Sequence, residues 1–173
     1  RHNVGFRVAD EIARRFGLSF GKKERKALAA TGLIRNRKVV LAKPQTYMNN
    51  SGEAVGRLVN FYKMPIAEVL VAVDDADLPF GTIRMRPEGS SGGHHGLASI
   101  EQHLGSRAFP RLKLGIARPK QGVRDIAGYV LSRFGPDDLP TKEKVLDRSA
   151  LQVEMWASEG IAKAMSLFNG AVE

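Results

Sequence analysis

Cysteine is absent from the 173 residues of this chain, which removes disulfides, thiolate metal ligands and cysteine nucleophiles together. Long apolar runs are also missing: none approaches the roughly 20 residues of a membrane span. Charges interrupt Arg1 to Arg15 throughout, unlike the basic start and apolar stretch of a secretory leader. No repeats, low-complexity tract or dividing linker occur, so the expectation is a single domain over 1–173, soluble and cytoplasmic, with no membrane partner. A chain this long buries about two-thirds of its unfolded surface and needs no staples. Carboxylates are scarce beside cations: 18 Asp and Glu against 27 Lys and Arg leave a net charge of +9. That surplus attracts a polyanion, nucleic acid first, although a basic but inert surface accounts for charge alone equally well.

What is present alternates between helix and strand patterns. Val4 to Phe16 has mostly helical apolar spacing, stopped by Gly17. Gly21 to Lys26 reads as a mobile basic loop, and Ala27 to Ile34 with Lys38 to Ala42 as a hairpin about the turn Arg35-Asn36-Arg37. Asn50 and Glu53 give a helix-start signature for a helix that ends near Lys63, before Pro65. Val69 to Val73 is a short β-branched run ending in Asp74-Asp75-Ala76-Asp77, which puts carboxylates at a strand's C-terminal end. Thr82 to Arg86 is a strand, Pro87 to Gly96 a glycine-rich loop, Leu97 to Leu104 a helix and Leu112 to Ala117 a strand. Arg118 to Gly122 reads as a loop, and Asp125 to Phe134 suits a helix. Thr141 to Phe168 gives one long helix or two joined at Gly160. The fold class expected is α/β, with a mixed twisted β-sheet covered by helices on both faces. Ligands in such folds collect beyond the strands' carboxyl ends.

Three polar clusters lie in loops or at element ends, where a scaffold can aim side chains at a ligand: His2-Asn3, Met48 to Gly52, and Asp74 with Gly92 to Gly96. Ester hydrolysis needs a base to activate water, and imidazole, with a reference pKa near about 6.5, suits the task. His2 can be that base. Asp74 can hold the other ring nitrogen and stabilise the imidazolium, and Asn49 can hold the carbonyl and its oxyanion, worth about 3 kcal/mol in the transition state. Taken singly, each has a plainer reading: a histidine before a helix is a surface or capping residue, an Asp at a strand end forms a turn, and Asn49 and Asn50 are caps. The glycines around His94 and His95 form a flexible turn, or allow close approach to a phosphate. A metal site from His94, His95, Asp74, Asp75 and Asp77 is disfavoured, because adjacent histidines rarely converge on one ion and no HxxxH or HxH spacing occurs. Arg84, Arg86, Arg111, Lys113, Arg118 and Lys120 flank the glycine-rich loop and can form one phosphate-binding stripe, or a solvated edge.

Taken in order and spacing, Arg1-His2-Asn3-Val4-Gly5, Lys43 to Gly52, Val73 to Gly81 and Gly89 to Gly96 resemble the bacterial peptidyl-tRNA hydrolase family, over nearly the whole chain. The resemblance implies a cofactor-free monomer that hydrolyses N-blocked aminoacyl-tRNA and recycles tRNA from aborted translation. By position, His2 matches the family's base, Asp74 its supporting carboxylate and Asn49 the amide that binds substrate and orients attack. Tyr47 and Met48 line the same cleft. Asn3, His94 and His95 join the substrate and tRNA contacts, and Arg86 with Lys113 fall where the family holds the tRNA's 5′ phosphate. Two departures stand out. His95 occupies a place where asparagine is common, and the family's first strand, with its Asn-Pro-Gly turn and tyrosine, has no counterpart in the residues given. The expectation is therefore a domain lacking its N-terminal strand, with a non-hydrolytic RNA-binding relative as the alternative.

Overall fold

A computed structural model describes residues 4–47, 50–117 and 136–172. The expected helix at Asp125 to Phe134 and the loop at Arg118 to Gly122 lie outside the described residues. The chain divides into two compact units, the first taking Arg1–Glu11, Ala72–Met85 and Leu112–Glu173, the second Ile12–Val71 and Arg86–Arg111. Helix α1 (Val4–Phe16) begins in the first and ends in the second. Its buried Val4, Val8 and Ile12 recur every four residues, which is the apolar face the sequence displays.

The second unit holds β1 (Lys22–Glu24), β2 (Ala27–Ile34) and β3 (Arg37–Pro44) as an antiparallel sheet in the order β1-β2-β3. The expected hairpin is present, but the charged run at Gly21 to Lys26 is not a mobile loop. It forms β1 and a two-residue turn, with Arg25 at φ 48° and Lys26 at φ 64°, closing the pair Glu24 and Ala27. The reason is Glu24, buried and hydrogen-bonded by the Tyr62 hydroxyl, which fixes the strand's side-chain alternation. The same carboxylate raises the Tyr62 pKa above its ordinary value. Helix α2 (Ser51–Tyr62) follows and ends at Lys63 in the left-handed conformation, where expected. Its N-terminal signature works differently from the expectation: the Asn50 side chain makes no capping bond. Glu53 is taken by Lys26 at 2.8 Å and Arg57 at 3.1 Å, so it does not reach back to close a capping box.

The first unit is built on the four-stranded sheet β4-β6-β5-β7, comprising β4 (Val71–Asp75), β5 (Thr82–Arg86), β6 (Arg111–Gly115) and β7 (Gly170–Ala171). Hydrogen bonds from Val71 N to Pro110 O and from Ile116 N to Asp75 O advance together, so β4 and β6 run the same way, whereas β7 pairs antiparallel with β5. The chain is α/β with a mixed sheet, as expected, and the β2–β3 hairpin belongs with β1 to a separate sheet. The long C-terminal pattern is two helices, α4 (Leu139–Glu159) and α5 (Ile161–Phe168), jointed at Gly160 with φ 97°. Asn169 then brackets Met85, accepting from its N–H at 2.7 Å and donating to its carbonyl at 3.1 Å. Buried Gln152 of α4 donates to the same Asn169 Oδ1 at 2.8 Å, tying the helix to β5.

Candidate active site

In the second unit the decisive contacts are between α2 and α3 (His95–Leu104). Gly52 is packed so closely that a Cβ there would lie 2.1 Å from the Ser99 carbonyl oxygen and 2.5 Å from His103 Nδ1. Its N–H donates to Ser99 Oγ at 2.9 Å. One turn on, a Cβ at Gly56 would meet His103 Cβ at 3.5 Å. Advancing a turn on α2 thus advances a turn on α3, so the helices run in the same direction and begin at the same end. Asn50 leads into α2 at that end, and His94, closing the glycine-rich loop, leads into α3. Among the described residues, Tyr47, whose carbonyl accepts the Asn50 N–H at 2.8 Å, and His94-His95 therefore lie at one end of one helix pair. Tyr47 is 84% exposed, so packing does not explain it. His95 is exposed and opens α3, while His94 Nδ1 accepts the Leu97 N–H at 3.1 Å and caps the helix. That bond puts the neutral ring's proton on Nε2. A cavity of about 410 Å³ beside Glu53, Arg57, Asn60 and His103 lies farther down the helices and includes none of the expected site residues.

Arg111 corrects the phosphate stripe. It is 1% exposed, and its guanidinium donates to the carbonyls of Arg107 at 2.9 Å and of Ser90 and Phe109 at 3.3 Å. Glu101 lies 3.4 Å from Nη1, and the cation stands over the Phe109 ring. A planar fork with five donors satisfies several carbonyls at once, which a sequence reading of charge could not foresee. Its work is to tie the glycine-rich loop, α3 and the turn before β6 together. Replacing Arg111 by methionine should leave Glu101 and three carbonyls short of partners, lowering stability by about 3–5 kcal/mol in a urea unfolding curve. A loss under about 1 kcal/mol would count against that assignment.

In the first unit, Asp74 is 9% exposed at the C-terminal end of β4. Neighbouring side chains in a strand point to opposite faces, and the carboxylates divide accordingly. Asp75 Oδ1 accepts the Asp77 N–H at 2.7 Å, closing the turn, and its Oδ2 lies 3.7 Å from Lys113 Nζ. Lys113 thus has an anionic neighbour with which a phosphate would compete. At the other end of the strand, a Cβ on Gly5 would lie 2.4 Å from the Ala72 carbonyl oxygen, so the start of α1 rests directly on β4. Sequence reasoning passed over the close approach at Gly5 and at Gly52. Each closes one of the motifs named in the sequence and stands in the first turn of a helix, but nothing local announced the backbone that packs against it.

Arg84 and Arg86 alternate outward on β5 and are exposed. His2, Asn3, Met48 and Asn49 lie outside the described residues, as do Arg118 and Lys120.

The family model described as peptidyl-tRNA hydrolase matches residues 1–173. A peptidyl-tRNA hydrolase of Chloroflexus aggregans is 48% identical over 170 residues, covering 98% of this chain and 90% of the relative. One from Bacillus anthracis is 39% identical over 169 residues with the same coverage, 98% and 90%. Among solved structures, the peptidyl-tRNA hydrolase of Acinetobacter baumannii superposes with a TM-score of 0.92 at 29% identity, over 99% of this chain and 87% of that one. A family match over the whole sequence, with relatives this similar over almost all of it, shows that the chain belongs to the peptidyl-tRNA hydrolase family.

Proposed function

We propose that this chain, acting as one cytoplasmic monomeric domain, hydrolyses the ester between a peptide or N-blocked amino acid and tRNA. The observation that carries the reading is the seating of Gly5 on Ala72. His2 is three residues from Gly5 and Asp74 two from Ala72, so at about 3.5 Å per residue the chain can bring imidazole and carboxylate together. In this scheme His2 takes a proton from water as the oxygen attacks the ester carbonyl. Asp74 holds the ring's other N–H and stabilises the imidazolium. Asn49 donates to the oxyanion. Collapse releases the peptide carboxyl group, and the departing ribose oxygen takes the proton from His2. Asn3, Tyr47 and Met48 line the cleft, and His94 and His95 meet the 3′ end of the tRNA. Arg86 and Lys113 take its 5′ phosphate, Lys113 exchanging Asp75 for the ligand. No cofactor or metal enters any step.

The test is release of labelled N-acetylaminoacyl group from tRNA by the chain and by His2→Ala. Turnover in the parent, reduced at least 10²-fold in the variant, is expected. Binding of the tRNA by the parent without turnover would instead favour a non-hydrolytic RNA-binding relative.

A further inference from the structure

We infer that the tip of the β2–β3 hairpin is a second RNA contact, gripping phosphates of the substrate tRNA's duplex stem away from the reacting end. The inference rests on the tRNA reading above and extends it to a surface which that reading does not use. From Arg25 to Gly52 the sequence has six cations and no carboxylate. The inner cations are engaged locally: Lys26 with Glu53 at 2.8 Å, Arg25 over the Phe61 ring at 3.3 Å, and Lys43 over the Phe20 ring at 4.3 Å. At the tip, Arg35, Asn36, Arg37 and Lys38 are all exposed, beside Leu33 at 52% exposure.

The tip's backbone is the second observation. Ile34 pairs with Arg37, and the two residues between them are left-handed, Arg35 at φ 46° and Asn36 at φ 66°. A two-residue turn of this kind favours asparagine, aspartate or glycine at its first position, because a Cβ is strained there. Arginine is a poor choice for folding and a good one for placing a third cation at the apex. Protection of an edge strand is the plainer account of basic residues on β3, and it covers Arg37 and Lys38. It does not cover a strained arginine in the turn.

Position supplies the partner. Strand β3 runs from the tip for eight residues, and Tyr47, Met48 and Asn49, assigned above to the substrate, follow it within five residues in the sequence. At about 3.3 Å per residue the tip stands roughly 25 Å from that end. This is too far for the reacting nucleotide and within the span of the stem that follows it. Three exposed cations on a hairpin turn suit a sequence-independent grip on phosphates.

The experiment uses the full chain with Arg35→Gln, Arg37→Gln and Lys38→Gln combined, and with Arg35→Asn alone, which suits the turn and removes one charge. Binding of deacylated tRNA is followed by fluorescence anisotropy across a salt series. The slope of log affinity against log salt should become shallower by about three for the triple variant and about one for Arg35→Asn. With N-acetylaminoacyl-tRNA the triple variant should show KM raised about tenfold and kcat unchanged. An N-acetylaminoacyl-CCA trinucleotide, which has no stem, should be cleaved as by the parent. Unchanged salt slopes would overturn the inference, as would an equal KM rise on the trinucleotide. A parent that cleaves neither substrate would defeat the hydrolase reading alone, because the salt slopes on deacylated tRNA still decide the hairpin.

Discussion

Asp74→Asn is expected to lower kcat on N-acetylaminoacyl-tRNA by about 10²–10³-fold while moving KM less than about twofold. Asparagine has nearly the same shape, so the 9%-exposed site keeps its packing. The chemistry changes. An amide carries no charge to stabilise the imidazolium, and its NH₂ can turn toward the ring and favour the wrong tautomer. The proposed tRNA contacts lie on other residues, which is why KM should hold. Steady-state kinetics beside a circular dichroism melt separate the outcomes: an unchanged kcat in a folded variant would remove Asp74 from the mechanism. Removing Asp75 should behave differently, because its bonds to the Asp77 N–H and to Lys113 belong to a turn and an ion pair.

For Gly52→Ala a fall in stability is expected, although two principles disagree about its sign. Helix propensity alone favours alanine over glycine by about 1 kcal/mol. Packing opposes it, because the added methyl would stand 2.1 Å from a carbonyl oxygen and 2.4 Å from the carbonyl carbon of Ser99. Backbone atoms cannot swing aside as a lysine tip would, so α2 and α3 must separate. The buried bond from Gly52 N to Ser99 Oγ goes with them. Overpacking at about 1–3 kcal/mol plus about 1 kcal/mol for the bond exceeds the propensity gain. A fall in Tm of roughly 2–12 °C follows for a domain of this size. An unchanged or higher Tm would show that the helices can shift without cost. Activity should fall as well, because the loops entering the pair would no longer share one end.

The sequence made the strands and helices legible wherever period and punctuation agreed. Thr82 to Arg86, the jointed helices about Gly160, and the stop at Lys63 are examples. It was least legible where a distant partner decides. Nothing local in Gly21 to Lys26 announces a strand, because the hydroxyl that fixes Glu24 comes from Tyr62. Charge counting put Arg111 on a phosphate stripe, since a guanidinium buried under backbone carbonyls has the same letter as an exposed one. Residues Gly170 and Ala171 are too few to show a period, and they become β7 only through β5. Of the site, the motifs showed which residue types could do the chemistry. The tight helix crossing at Gly52 was invisible without coordinates.

The shared direction of α2 and α3 has an electrostatic consequence. Each helix carries about half a positive charge at its start, and two such ends side by side repel one another. Under the proposed assignment of Asn49 to the oxyanion, negative charge developing beside these ends would relieve that repulsion as the barrier is crossed. Part of the rate would then come from aligned peptide dipoles, and side-chain replacement would not reveal it.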